Sequence, residues 1–518
     1  MKTLKLSLKR PALPLLLTCV LLLSGCAAFQ APKPAAVPDK PMKMDHDMSG
    51  MKHDMPGMEH DMSGMEHDMS GMKHDMPGME HDMSGMHHHH EVVDGNYLKA
   101  GVMPSQFGGP YQAMNAIGSG TSLMPADSPA YMWHFGLFDD QVSCMAHGEL
   151  KLSYDNQGGP RGVSRFQSQN WLMGSCNYSF SSDAAVQVRA MLTAEPFTSP
   201  SGGFPQLFQT GETYHGRDIV DAQHPHNLFS ELSVAFTQKL SENLRYYVYF
   251  GLPGDREEGP TAFMHRMSAL ENPAVPLCHH CQDAGHITNG VVSAGMDIGK
   301  VRIGGSFFRG REPGENRLNI QPGGFDSYSA RIQYAPTENW VLGASYGRVH
   351  NAEIAQPGDM DRYTAFAQYS KRYEDGYLAV TGVLGHNKDR YGTLSGALLE
   401  GTLNFQDVNY LYSRAECVNK PGLSDMNIYG KPGLETEMTG LSATQLAVSG
   451  MATSAASNST VCAFTAGYAR DVYTSDVVRV GLGFDLTGYI VPGELKPIYG
   501  DNPMSFMLNL RIRPGRVY

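Results

Sequence analysis

Hydrophobic and polar residues alternate with a period of two through most of the chain from about residue 96 to residue 518, with no sustained helical period. Tyr328, Ala330, Ile332 and Tyr334 alternate with Ser327, Ser329, Arg331 and Gln333. Successive side chains of a strand point to opposite faces, so a strand here turns one face to oil and the other to water. Val478, Val480, Leu482, Phe484 and Leu486 repeat the pattern against Arg479, Gly481, Gly483, Asp485 and Thr487. Phe506, Leu508, Leu510 and Ile512 do so against Met507, Asn509, Arg511 and Arg513, and Leu244, Tyr246, Val248, Phe250 and Leu252 form a further apolar face. About sixteen such segments of roughly ten residues can be marked, the length a tilted strand needs to cross a hydrocarbon layer.

Short joints at Ala335–Asn339, Arg372–Gly376 and Tyr473–Asp476 contrast with long polar stretches near 253–286, 309–324 and 414–459. Short turns alternating with long loops predict an all-β fold, a transmembrane antiparallel outer-membrane β-barrel of about 16 strands over 96–518. A barrel of that size has room for an aqueous lumen. A soluble sandwich or propeller would alternate too, but the polar positions here return to Arg, Gln and Asp on one face. Composition agrees with the barrel. Twenty-five tyrosines against three tryptophans suit aromatic girdles, Tyr518 is aromatic, and the mean hydropathy of −0.31 fits a wet interior.

The N-terminus departs from this pattern. Lys2, Lys5, Lys9 and Arg10 precede an apolar run from Leu15 to Leu23, shorter than the roughly 20 residues of a membrane helix. Residues 1–25 therefore read as a signal peptide. Leu23-Ser24-Gly25-Cys26 resembles a bacterial lipoprotein box, which implies cleavage before Cys26, lipidation of its thiol and, with Ala27 rather than Asp following, residence at the outer membrane.

After a linker over 26–43, residues 44–90 hold six unbroken copies of Met-x-His-Asp-Met-(Ser/Pro)-Gly and then Met86 with four histidines. The ligands offered are Met44, His46, Met48, Met51, His53, Met55, Met58, His60, Met62, Met65, His67, Met69, Met72, His74, Met76, Met79, His81, Met83, Met86, His87, His88, His89 and His90. Glycine in every copy and Pro56 and Pro77 in two of them exclude a coiled coil despite the seven-residue period. With no aliphatic or aromatic residue to bury, the segment is expected to be disordered until metal orders it. Thioethers suit Cu(I) or Ag(I) and imidazole suits Cu(II), Ni and Zn, so alternating the two fits copper best, with silver and nickel as the other candidates. A plain solvated spacer would be built from Ser, Pro, Glu and Gly, not from thirteen methionines in this span. Repetition predicts several moderate sites acting together.

With Cys19 removed and Cys26 lipidated, six cysteines remain in an exported chain: Cys144, Cys176, Cys278, Cys281, Cys417 and Cys462. An even number suggests disulfides. Cys278 with Cys281 and Cys417 with Cys462 are the near pairs, but spacing alone does not fix connectivity. Within the barrel, His224 and His226 lie two apart and so on one side of an extended backbone, either as a chelating pair or as two surface histidines in a turn. Met264, His265 and Met267 precede Cys278, His279, His280 and Cys281, and His286 follows, an unusual concentration of soft ligands for one loop. Cys278 and Cys281 have metal-ligand spacing but lack a second pair, so disulfide and metal readings stand side by side.

No nucleophile elbow at a strand-to-helix turn, no His-Glu-x-x-His and no phosphate-binding glycine loop stands out, which points away from an enzyme. A net charge of −12 gives no basis for nucleic-acid binding.

The Met44 to His90 extension ahead of a barrel resembles the copper-resistance outer-membrane proteins of Gram-negative bacteria. The barrel segments His224–Asn227, Phe263–Arg266, Glu271–Pro273 and Gly310–Pro313 resemble a group of bacterial outer-membrane barrels of unassigned function. The resemblance implies an outer-membrane barrel that binds or moves excess copper, and the lipoprotein box at Cys26 adds a lipid anchor with a periplasmic tail. That tail would capture Cu(I) or Cu(II), exchange it with periplasmic copper carriers or oxidases, and serve copper resistance or homeostasis, with passage through the barrel. A general porin or structural barrel, whose tail only buffers metal or tethers the chain, is the other reading. A flexible chain from Cys26 to Asn96 spans about 45 Å.

Overall fold

The period-two segments fold as sixteen antiparallel strands closed into a barrel. This computed structural model describes residues 102–103, 112–113, 118–138, 141–199, 202–353, 357–425, 427–429 and 458–517. The signal segment, Cys26, the 44–90 repeats and Tyr518 lie outside the described residues. In chain order the strands are β1 Val142–Gln157, β2 Ser164–Ser179, β3 Ala184–Leu192, β4 Phe229–Ser241, β5 Leu244–Gly254, β6 Thr288–Ile298, β7 Val301–Phe308 and β8 Ser327–Thr337. They continue as β9 Trp340–His350, β10 Asp359–Tyr373, β11 Gly376–Lys388, β12 Thr393–Phe405, β13 Asn409–Lys420, β14 Ser459–Thr474, β15 Val478–Ile490 and β16 Met504–Pro514. Each pairs with its sequence neighbours. β16 closes the ring on β1 from Ser505 opposite Gln157 to Ile512 opposite Leu150, and a short strand, Trp133–Leu137, pairs with the remaining start of β1.

Alternation sets which face is which. On β8, Ile332 is 48 % exposed whereas Arg331 and Gln333 on either side are 2 % and 0 % exposed. The apolar set faces outward, as an oil-facing wall requires, and the polar set faces the lumen. Leu482, Phe484 and Leu486 on β15 and Leu508 on β16 are exposed in the same way. The turns 338–339, 374–375 and 475–477 and the loops 255–287 and 309–326 fall where the sequence predicts, whereas β13 runs on to Lys420 and the long connection 193–228 is not marked as a loop in the sequence.

The lumen departs from the expected aqueous channel. The segment 118–132 and the loop 255–287 both run inside the wall, and their polar atoms are matched by lumen-facing side chains. Arg189 donates to the main-chain oxygen of Gly118 and Arg302 to that of Thr121, while Glu257 pairs with Arg331 at 2.8 Å. Arg266 is held between Asp283 and Glu400, and Glu271 between Arg511 and Arg513. Lys420 donates to the main-chain oxygen of Leu277 at 2.8 Å and Glu416 accepts from its N–H at 2.7 Å. A buried main chain needs such partners, and a barrel wall of alternating charged residues supplies them.

Candidate metal centre

The loop 255–287 carries a short helix, His279–Gln282, followed by a 3-10 turn, Ala284–Ile287, and these place His279, His280 and His286 on one side of the loop. The Cys278–Cys281 disulfide pins the helix, seated against Gly385 of β11 and Gly396 of β12. These two glycines are register partners, and a Cβ at either would fall within 2.5 Å of the disulfide-bearing residues. Joined as a disulfide, Cys278 and Cys281 offer no thiolate, so the metal reading of this pair is corrected: oxidation takes both sulfurs out of the ligand set. Cys144 pairs with Cys176 and Cys417 with Cys462, each between register partners on adjacent strands.

A hairpin, Phe204–Tyr214 with Arg217–Gln223, packs onto this loop through Gln206 and Gln209, which donate to the main-chain oxygens of Val275 and Pro276. It approaches the loop closely at Gly211, with φ of +135°, where a Cβ would lie 2.3 Å from His280 Nε2. The chain leaving the hairpin carries His224 and His226. Both are buried, at 6 % and 4 % exposure, and not surface turn residues.

Five imidazoles from two segments thereby form a closed circuit. Ring centres lie 5.3 Å apart for His224 and His280, 5.4 Å for His280 and His279, 5.1 Å for His279 and His286, 5.4 Å for His286 and His226, and 6.3 Å for His226 and His224. Two imidazoles bound to one ion through nitrogens about 2.0 Å away put their ring centres roughly 5 Å apart, so neighbouring pairs of these rings suit shared ligation, though the circuit as a whole does not close on one ion. His265 stands apart from the circuit, its ring 4.8 Å from Trp171 and 5.4 Å from His147.

The second nitrogen of each ring sharpens the picture. His226 Nδ1 donates to Glu195 Oε2 at 2.8 Å, and the His226 main-chain N–H donates to the same oxygen. His279 Nδ1 donates to Asp283 Oδ1 at 2.6 Å, and His286 Nδ1 to the main-chain oxygen of Asp283 at 3.1 Å. With the proton on Nδ1, the lone pair is on Nε2, and Nε2 of His226 and of His286 is buried with no hydrogen-bond partner. An imidazole tied through one nitrogen to a carboxylate or carbonyl, with the other left bare, is the arrangement that metal-binding histidines adopt.

Charge follows the same division. Burial, then Arg317 and the neighbouring imidazoles, holds His224 well below the ordinary histidine range, and burial with His279 and His226 does the same to His286. Burial also lowers His265, with help from His147, and lowers His279 against the opposing pull of Asp283. Neutral imidazole is the ligating form. His280 is the exception: burial works against its proton, but Glu312, Glu353 and Glu212 outweigh it and raise the pKa. Burial and the charge of Glu312 push Glu353 up to about 8. His280, Glu312 and Glu353 bring their ligand atoms within 4.8 Å of one another, a ready mixed nitrogen and oxygen set. Glu195, Asp283, Glu312 and Glu353 were not visible as site residues in the sequence, because nothing in their local spacing marks them.

No family model and no curated protein matches this chain. Solved structures similar to it include OmpT of Vibrio cholerae, at 10 % identity over 73 % of this chain and 100 % of that one, with a TM-score of 0.40. An anion-selective porin from Comamonas acidovorans is 10 % identical over 72 % of this chain and 99 % of that one, with a TM-score of 0.40. OpdK of Pseudomonas aeruginosa, solved with vanillate, is 12 % identical over 72 % and 99 %, with a TM-score of 0.34.

Proposed function

We propose that this chain is an outer-membrane copper-handling barrel, in which the 44–90 tail captures Cu(I) or Cu(II) as cargo and the buried histidine centre holds the ion on its way through the lumen. The observation that carries the barrel half of this reading is the set of His226, His279 and His286, each fixed through Nδ1 and two of them with a buried, unpartnered Nε2. Buried polar atoms are normally satisfied, so orphans gathered at one spot call for a partner. The chemistry of the donors divides the work. Thioethers of the tail favour Cu(I), while imidazoles backed by Glu312 and Glu353 favour Cu(II) or another borderline divalent ion. Lipidation at Cys26 would keep the tail at the membrane, and periplasmic copper carriers or oxidases would be its exchange partners. In this reading the protein is a conduit or store and catalyses no reaction.

A competitive Cu(I) titration of the detergent-purified mature protein, beside a version lacking residues 42–90, tests the tail. Several equivalents bound, nearly all of them lost with the deletion, is the expected result. Binding that persists unchanged would remove the tail from the account.

A further inference from the structure

One lumen-facing patch stands out against both the charged lumen positions and the aliphatic ones. On β1 the inward positions run Met145, His147, Glu149, Lys151, Ser153 and Asp155. On β2 Met173 and on β3 Met191 occupy the same face, and the register sets His147 opposite Met173 and Met173 opposite Met191. A row of imidazole, thioether and thioether therefore crosses three adjacent strands. Met264 from the inserted loop and Met132 from the segment 118–132 complete a buried cluster with Ala130 and Ala262, with Phe263 and Trp171 packed against it. His265 and His147 lie beside it, ring centres 5.4 Å apart, and both meet Trp171 edge to face at 4.8 and 5.0 Å.

Methionine is a common gap-filler in cores, and that is the reading to beat. The other buried clusters of this barrel argue against it. Around Leu207, Leu277, Val418 and Ile498, and again around Leu123, Val341, Val383 and Leu398, the protein fills space with branched aliphatic residues. Here five of seven buried members are methionine and none is Leu, Ile or Val. Filling needs no imidazole, yet His147 Nε2 is buried there without a hydrogen-bond partner. The nearby charge of Arg189 is matched by Glu231 at 3.1 Å. One short 3-10 turn, Phe263–His265, serves both places: the Phe263 ring lies 5.3 Å from His279 of the histidine centre, while Met264 and His265 enter the methionine cluster.

We propose that Met145, Met173, Met191 and Met264, with His147 and His265, form a second cation site in the lumen, selective for soft monovalent ions of the Cu(I) and Ag(I) class. Thioethers bind such ions well and hard cations poorly, so this site discriminates by softness where the histidine centre does not. The proposal deepens the copper reading and rests on it for the identity of the cargo.

Trp171 is a built-in reporter. In the full chain carrying W133F and W340F it is the sole indole, and Ag(I), which needs no reductant, is the probe. Saturable loss of Trp171 emission on Ag(I) addition, abolished by M173L with M191L, is the expected result. Leucine keeps the volume and removes the sulfur. Should the double variant fail to fold, as read from its heat-modifiable migration, M173L and M191L singly must each weaken the response. Unchanged quenching in folded Leu variants, or no quenching in the parent at saturating Ag(I), overturns the site. Equilibrium dialysis of the same samples separates the two claims. Several Ag(I) equivalents bound with Trp171 silent sinks this site and leaves tail capture standing. Quenching with about one equivalent bound supports the site and removes the tail, and no binding at all removes both.

Discussion

At the scale of residues, Glu195 is the side chain whose role is most exposed to test. It accepts from both the ring and the main chain of His226 and is itself buried. Such a carboxylate fixes the tautomer and raises the basicity of the free nitrogen, and losing it ordinarily weakens metal binding about 10- to 100-fold. Glu195→Gln should therefore weaken Cu(II) binding at the histidine centre by at least about tenfold in a calorimetric titration, while Cu(I) capture by the tail is unchanged. An unchanged Cu(II) isotherm would show that His226 is no ligand. His224, His226, His265, His279, His280 and His286 could be marked as candidates in the sequence, since imidazoles that dense in two loops are rare by chance, and the structure brings all but His265 into one circuit. His147 and the three strand methionines were not. Each stands singly in a period-two run, where a lone methionine reads as wall or core, and only the strand register sets them side by side. A signal was nonetheless there: Met145 shares parity with Glu149, Lys151 and Asp155, and an apolar residue on the wet face is the anomaly to look for.

At the scale of elements, the loop 255–287 is the part on which the site depends. It has little regular structure, and its place is set by charge: Arg266 between Asp283 and Glu400, Glu271 between Arg511 and Arg513. Burial works to raise the Asp283 pKa, but Arg266 and His279 together hold it below the usual carboxylate range, so the pairing stays ionic. Removing one partner of a buried pair leaves the other charge stranded, typically at about 3 to 5 kcal/mol. Glu271→Ala should accordingly lower the barrel's resistance to urea by about 3 kcal/mol or more and also blunt Cu(II) binding, since the loop that carries His279 and His286 loses its anchor. A variant as stable as the parent would show that the loop is held by other contacts. The strands were readable because period two survives whatever the tertiary context. The placement of the loop was not, because its ion partners lie more than a hundred residues away in sequence, on walls that exist only once the barrel has closed.

At the scale of the whole molecule, the closed barrel turns an oily face outward and encloses two ligand environments of different character. One gathers imidazoles backed by carboxylates; the other gathers thioethers with two imidazoles. Neither is built from residues of the tail, so the lumen can be tested by itself as a place where metal rests. The most direct measurement is a copper-edge anomalous difference map from crystals of the mature protein grown with copper. The account predicts a peak bounded by His226, His279 and His286, within ligand distance of at least two of their Nε2 atoms. A well-ordered lumen with copper bound elsewhere on the protein and no peak at those histidines would contradict it.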